Sequence, residues 1–245
     1  MKDLFKKQGA TPPERVRGGR NPPQVIYHTK TVNLEKRNKD EWTLTVDWHG
    51  PMRKFWTNFP FPLLRIISQD KVSDVRKRFV LKAESVKTLA TFLKERKNRI
   101  NYDDALAFLY DVGNQLKSLE RFYLAVPFID VNDIIVVDDK HYFYLNDQKV
   151  FGFGGSSGLV EIDRPYKKSP FFSPEFKNIS SLPASISYKS GFYSLAVLIS
   201  YCMLNEYIKN DDKQEILAPI YTTELYWALM RMLQKDPQDR FYLII

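Results

Sequence analysis

The sequence predicts an α+β fold in which a small β-rich part precedes a mostly helical remainder. Residues 25–84 hold short β-branched and aromatic runs separated by turn formers, the pattern of strands. From residue 85 the apolar residues recur at three- and four-residue spacing, the pattern of helices. A nearly uncharged apolar run, Gly191 to Leu204, marks a core helix.

In the first part the predicted strands are Val25-Ile26-Tyr27, Thr31 to Leu34, Trp42 to Val46, Lys54-Phe55-Trp56-Thr57 and Arg78 to Leu81. Asn38-Lys39-Asp40 and His49-Gly50-Pro51 suit turns between them, so the runs make a small antiparallel sheet. Leu63 to Ser68 reads as a further strand or, extended to Val75, as a helix. Val86, Leu89, Ala90 and Leu93 share one helix face, followed by the charged end Lys94 to Arg99. Asn101 or Asp103 caps the next helix, which carries Leu106, Leu109, Val112, Leu116 and Leu119 on its apolar face. Ile134 to Val137 and Tyr142 to Leu145 form a hairpin through Asp138-Asp139-Lys140. Residues 148–187 read as loop, and helices return at 188–209 and 221–235.

The chain has 245 residues, enough for one two-lobed domain. Its net charge of +8 is uneven: the first 24 residues set six cations against two acids and hold four prolines. That segment reads as a disordered basic arm, residues 1–24, whose Lys6, Lys7, Arg15, Arg17 and Arg20 are offered to nucleic acid or to an acidic protein surface. It carries charges and prolines where a signal peptide has its apolar core. The single cysteine, Cys202, lies in the most apolar segment and cannot form a disulfide within the chain. The longest apolar run falls short of the roughly 18–20 residues of a membrane span. These points lead us to expect a soluble, intracellular, cytoplasmic protein without a membrane partner. Richness in Lys, Asn, Ile, Phe and Tyr suits an AT-rich genome, such as that of a large DNA virus or a parasite.

Ser173-Pro174-Glu175, the apolar helix after Tyr188, and Asp236-Pro237-Gln238-Asp239-Arg240 have the layout of a long-range ion pair, Glu175 with Arg240, that pins a loop beneath a helical domain. With the segments before it, this layout resembles the carboxyl-terminal lobe of eukaryotic-type protein kinases. Ser173-Pro174-Glu175 resembles the family's Ala-Pro-Glu, Arg240 the arginine that pairs with its glutamate, and Ser190 to Leu198 the start of its long central helix. The family's catalytic loop, of pattern His-Arg-Asp-Leu-Lys-Pro-Glu-Asn, falls without a gap on Val126 to Asp133. The resemblance implies a two-lobed kinase-like domain over residues 25–245, with a small, incomplete β-rich N-lobe at 25–84 and a mostly helical C-lobe at 85–245.

The chemistry implied by the family is largely missing. Phe128 stands at the position of the aspartate that takes the substrate hydroxyl's proton, and loss of a general base costs about 10²–10⁴-fold. Asp147 falls at the metal-binding aspartate of Asp-Phe-Gly, with Gln148 and Lys149 in place of the Phe and Gly; a register one residue earlier puts Asn146 there. Asp133 occupies the place of the metal-binding asparagine, so Asp133 and Asp147 are the metal candidates, with magnesium as the ion. Both also suit simple turns at hairpin ends. Residues 25–60 contain only Gly50 where the family has a Gly-rich loop. Lys54 is the candidate for the family's strand lysine, and Lys82 and Glu84 are further nucleotide-binding candidates. The family's aspartate that anchors the catalytic loop is replaced by Gly191.

Gly152-Phe153-Gly154-Gly155-Ser156-Ser157-Gly158 has the composition of a phosphate loop but neither the spacing nor the following Lys-Ser or Lys-Thr, and reads as a flexible loop. His28, His49 and His141 lack ligand partners at zinc spacing. Trp42, Trp48 and Trp56 read as sheet core or as a stacking surface for single-stranded nucleic acid.

Three functional readings follow. The first is a catalytically inactive kinase-like protein, a pseudokinase, acting as a protein-interaction scaffold or allosteric regulator with a protein partner and no cofactor. The second is a divergent active Ser/Thr kinase that uses ATP and magnesium and recruits Asp130 as base. The third is a basic nucleic-acid-associated protein that uses the arm.

Overall fold

A computed structural model describes residues 23–209 and 212–242 of the chain. It is α+β, as the sequence predicts. Strands β1 (Gln24–His28), β2 (Val32–Lys36) and β3 (Glu41–Asp47) precede helix α1 (Gly50–Thr57), and β4 (Arg65–Ser73) and β5 (Arg76–Lys82) follow it. These five strands form one antiparallel sheet in the order β1-β2-β3-β5-β4. On β2 and β3 the period of two is clear: Val32 pairs with Val46 and Leu34 with Leu44, and all four are buried. Helix α1 lays Phe55 and Trp56 into the same core.

Two sequence expectations are corrected here. Lys54-Phe55-Trp56-Thr57 is the last part of a helix, not a strand, and His49-Gly50-Pro51 opens that helix. Burial of Phe55 and Trp56, 1% and 0% exposed, outweighs the β preference of their side chains. Of the run Leu63 to Ser68, Arg65 to Ser68 open strand β4 while Leu63 ends the short turn Phe61–Leu63 before it, so the sheet is not short of a strand and a two-turn helix still fits ahead of it.

Beyond the sheet come β6 (Val86–Thr88), α2 (Leu89–Glu95), α3 (Tyr102–Glu120), β7 (Leu124–Ala125), and the hairpin β8 (Ile134–Val137) and β9 (His141–Tyr144). Val86 therefore pairs in a strand with Val137, and α2 starts only at Leu89, capped by the Thr88 hydroxyl, which accepts from the Thr91 amide at 3.2 Å. Asn101 caps α3 through the Asp104 amide.

Residues 148–187 are not merely loop. They contain β10 (Phe151–Gly152), β11 (Leu159–Ile162), α4 (Pro174–Lys177) and β12 (Ala184–Ser187), with β10 paired to β7 and β11 to β12. The glycine-rich stretch is the turn that joins β10 to β11: the Gly158 amide donates to the Gly154 carbonyl at 2.7 Å, and φ of +63° at Gly158 uses the freedom of glycine.

Helices α5 (Ser190–Leu204), α6 (Lys213–Ile216) and α7 (Glu224–Met232) complete the chain. Helix α5 is buried on nearly every side and forms the axis of the helical region, with Cys202 fully buried in it. One continuous core runs from the sheet through α3 and the β8–β9 hairpin to α5 and α7, and a second, smaller cluster gathers around Phe128. Among the described residues no helix is long and apolar enough to cross a membrane.

Candidate functional site

The site lies where the β8–β9 hairpin meets the sheet. A tight turn over Val131–Asp133 leads into β8 and is closed from both sides: the Asp133 amide donates to the Asp130 carbonyl at 2.9 Å, and the Asp130 amide donates to Asp133 Oδ2 at 2.8 Å. At the far end of the hairpin the Leu145 amide donates to the Asp133 carbonyl at 2.9 Å, and Asn146 Nδ2 donates to Asp133 Oδ1 at 2.7 Å. A second turn, Asp147–Lys149, then swings the Lys149 ammonium to 2.6 Å from Asp133 Oδ2. Asp133 is 2% exposed, and burial pushes its pKa up against the opposing pull of Lys149 and Asn146.

Asp147 is fully buried and tied to the sheet region. The Thr31 hydroxyl, from the β1–β2 turn, donates to Oδ1, and the Trp56 indole N–H, from α1, donates to Oδ2 at 3.0 Å. Burial raises its pKa, and these two hydrogen bonds lower it. Tyr27 of β1 reaches the same place. Its hydroxyl is buried without a hydrogen-bond partner among the described residues, and its pKa is raised by burial first and then by Asp133 and Asp147.

Asp133 and Asp147 thus share one buried cluster, but the donor set does not suit magnesium. Each of the four carboxylate oxygens already accepts from a protein donor, and Lys149 supplies the positive charge at Asp133. No three His, Cys, Asp or Glu side chains gather at metal-binding distance among the described residues.

The other proposed nucleotide contacts lie elsewhere. Lys54 is on the exposed side of α1, not on a strand, and β3 contains no lysine. Lys82 is exposed and pairs with Asp40 at 3.4 Å. Glu84 is exposed, and its amide donates to Asp138 Oδ1. None of the three touches Asp133 or Asp147 through a hydrogen bond or ion pair among the described residues. Lys6, Lys7, Arg15, Arg17 and Arg20 lie outside the described residues.

Phe128 is 4% exposed and packs edge-to-face against Tyr166, Phe172 and Phe176, with ring centroids 4.8–5.0 Å away. The segment between β11 and α4 therefore closes over it. The Lys149 ammonium sits 4.4 Å from the Phe128 ring centroid, so one cation bridges the Asp133 carboxylate and the aromatic cluster. Asp130 is half-buried and accepts from the Ser169 hydroxyl at 3.1 Å.

Sequence reasoning missed how this loop is held. Gly191 lets α5 approach so closely that an added Cβ would stand 2.0 Å from the Val126 carbonyl oxygen. One turn further on, the Ser194 hydroxyl accepts from the Ile129 amide at 2.8 Å and faces the Ile129 carbonyl at 3.2 Å. The loop is anchored, but by Ser194 instead of an aspartate at position 191.

Below the cluster, Arg240 forms a fork with Glu175, Nη1 to Oε1 at 2.5 Å and Nη2 to Oε2 at 2.8 Å, and also donates to the Gln234 and Lys235 carbonyls. Neither the models of known protein families nor the curated proteins compared with the chain match it.

Proposed function

We propose that the chain is a protein kinase-like protein without phosphotransfer activity, a pseudokinase that works through binding as a scaffold or allosteric regulator. The observation that carries this reading is Phe128. A buried phenylalanine, ringed by Tyr166, Phe172 and Phe176, falls, in the ungapped match to the family's pattern, where the family has its general base. The kinase-like part of the reading is supported by a helix between the third and fourth strands of a five-stranded sheet, and by the Glu175–Arg240 fork.

Three further features favour an inactive centre. Strand β3, which lays Leu44 and Val46 into the common core, carries no lysine. Both candidate metal ligands are engaged by protein donors. Asp130, the substitute base of an active enzyme, is turned to Ser169.

The test is to incubate the full chain with ATP and magnesium, follow phosphate transfer to itself and to a basic protein substrate, and record the melting temperature in parallel. The expected result is no transfer and no magnesium-dependent stabilisation, where a binder at 100 times its Kd would gain roughly 2.7 kcal/mol. Transfer that disappears in Asp130→Asn or Asp147→Asn would overturn the reading in favour of a divergent active kinase.

A further inference from the structure

A cavity next to the Phe128 cluster opens between the segment before α4 and the segment after it. It has a volume of about 600 Å³, room for two or three side chains of a bound chain. Its apolar wall is made by Ile162, Phe172 and Phe176, whose inner sides belong to the Phe128 cluster, so the wall is rigid. Its polar wall carries Arg164, Lys168 and Lys177, and no carboxylate among the described residues lines it.

These three cations form no salt bridge with a carboxylate among the described residues. Arg164 is steadied by neutral partners, with Nε donating to the Tyr166 hydroxyl at 2.8 Å and Nη2 to the Gln148 carbonyl at 3.2 Å. Lys177 is partly desolvated by its surroundings, which lowers its pKa, and no carboxylate among the described residues forms an ion pair with it. A wall of aromatic and aliphatic carbon beside Lys168, Lys177 and Arg164, whose charge the neighbouring Asp163 partly offsets, is complementary to a chain that alternates apolar and acidic side chains. It repels a basic one.

We propose that this cavity is the docking site for an acidic segment of a partner protein, which places an apolar side chain against Ile162, Phe172 and Phe176 and an Asp or Glu carboxylate against Lys168 and Lys177. This names the kind of partner for the binding role proposed above and rests on that role. The site itself needs no nucleotide and no phosphotransfer.

The experiment measures fluorescence anisotropy of the full chain with three labelled decapeptides of one design: a central Phe-Leu pair flanked by Asp, the same peptide with Asn for every Asp, and the same with phosphoserine for two of the Ser spacers and Asn for Asp. The Asp peptide is expected to bind at least tenfold more tightly than the Asn peptide. Lys168→Glu/Lys177→Glu is expected to remove that advantage, with an unchanged melting temperature showing that it folds. A control of equal charge change at a distance, Lys39→Glu/Lys71→Glu, is expected to lower affinity less than twofold. Equal binding of the Asp and Asn peptides, an equal loss in the control, or binding of the phosphoserine peptide alone would each overturn the proposal. Phosphate transfer found in the ATP assay would overturn the inactive reading and leave this result as it stands, so the two failures are distinguishable.

Discussion

The indole N–H of Trp56 donates to Asp147 Oδ2 at 3.0 Å across 91 residues of sequence, joining the helix of the sheet region to the turn after the β8–β9 hairpin. Both side chains are 0% exposed, so water cannot replace the bond if it is lost. Trp56→Phe keeps most of the aromatic packing and removes the donor. The expected loss is about 1–3 kcal/mol, the cost of an unsatisfied buried acceptor, read as a lower urea midpoint with an unchanged slope.

The same carboxylate sets a pH dependence. Burial raises the folded-state pKa of Asp147 above that of the unfolded chain, so the folded protein holds this proton more tightly. Any stabilisation from the proton is complete below the unfolded pKa of about 3.9 and is lost as pH rises through the folded value. Asp147→Asn removes the titration while leaving an oxygen for the Trp56 donor. The stability of Asp147→Asn relative to the parent is therefore expected to increase from pH 3.5 to pH 7, measured as the difference in urea midpoints. A difference that stays flat or falls would show that the carboxyl is not buried as described.

Glu175 and Arg240 offer a test with a larger effect. The Arg240 side chain is 0% exposed and that of Glu175 is 20% exposed, so removing the carboxylate leaves a buried guanidinium uncompensated. Breaking such a pair costs about 3–5 kcal/mol. Glu175→Gln is expected to lose stability in that range. Arg240→Lys should recover little of it, because an ammonium cannot reproduce the two parallel bonds or reach the Gln234 and Lys235 carbonyls together.

What the sequence disclosed, and what it hid, follows from how local each signal is. The β8–β9 hairpin was legible because a β-branched run, Ile134 to Val137, meets Asp138 and Asp139, which tolerate φ of +52° and +56°. The Glu175–Arg240 pair was legible because each partner sits in its own short motif. Helix α1 was misread because its last four residues have strand-like composition, and only burial against the core makes them helical. Strand β4 was ambiguous because it is exposed along nearly its whole length, so it shows no alternation to read. The partners of Phe128 come from an irregular segment without periodicity, and the Trp56–Asp147 bond has no local signature at all.

Two glycines should respond differently to alanine. At Gly191 the new Cβ would meet the Val126 carbonyl at 2.0 Å, which is backbone already held by its neighbours. At Gly113 it would meet the Tyr242 ring at 2.2 Å, a half-buried side chain instead of backbone. Gly191→Ala is expected to cost at least the roughly 1–3 kcal/mol of overpacking. Both positions are helical and share alanine's better helix propensity of about 1 kcal/mol, so Gly113→Ala should cost less only because a side chain yields more readily than a held backbone carbonyl. Melting temperatures of the two variants test the order, and a smaller loss at Gly191 would contradict the close approach of α5 to the loop.

Phe128→Asp puts the family's base back where the resemblance places it, and it is the sharpest trial of the inactive reading. The new carboxylate would stand in the aromatic cluster, desolvated, beside the Lys149 ammonium, which lies 4.4 Å from the centre of the ring it replaces. Lys149 cannot serve it fully without leaving Asp133, which is itself buried. The expected outcome is therefore a loss of several kcal/mol in stability, of the order of a Phe truncation at about 3–5 kcal/mol, with no phosphate transfer from ATP. Phe128→Leu, which keeps the site apolar, should lose less and be equally inactive. ATP-dependent phosphorylation by the Phe128→Asp protein would mean that a single side chain separates this chain from catalysis. The filled sheet face and the engaged carboxylates would then be poor grounds for calling the centre dead.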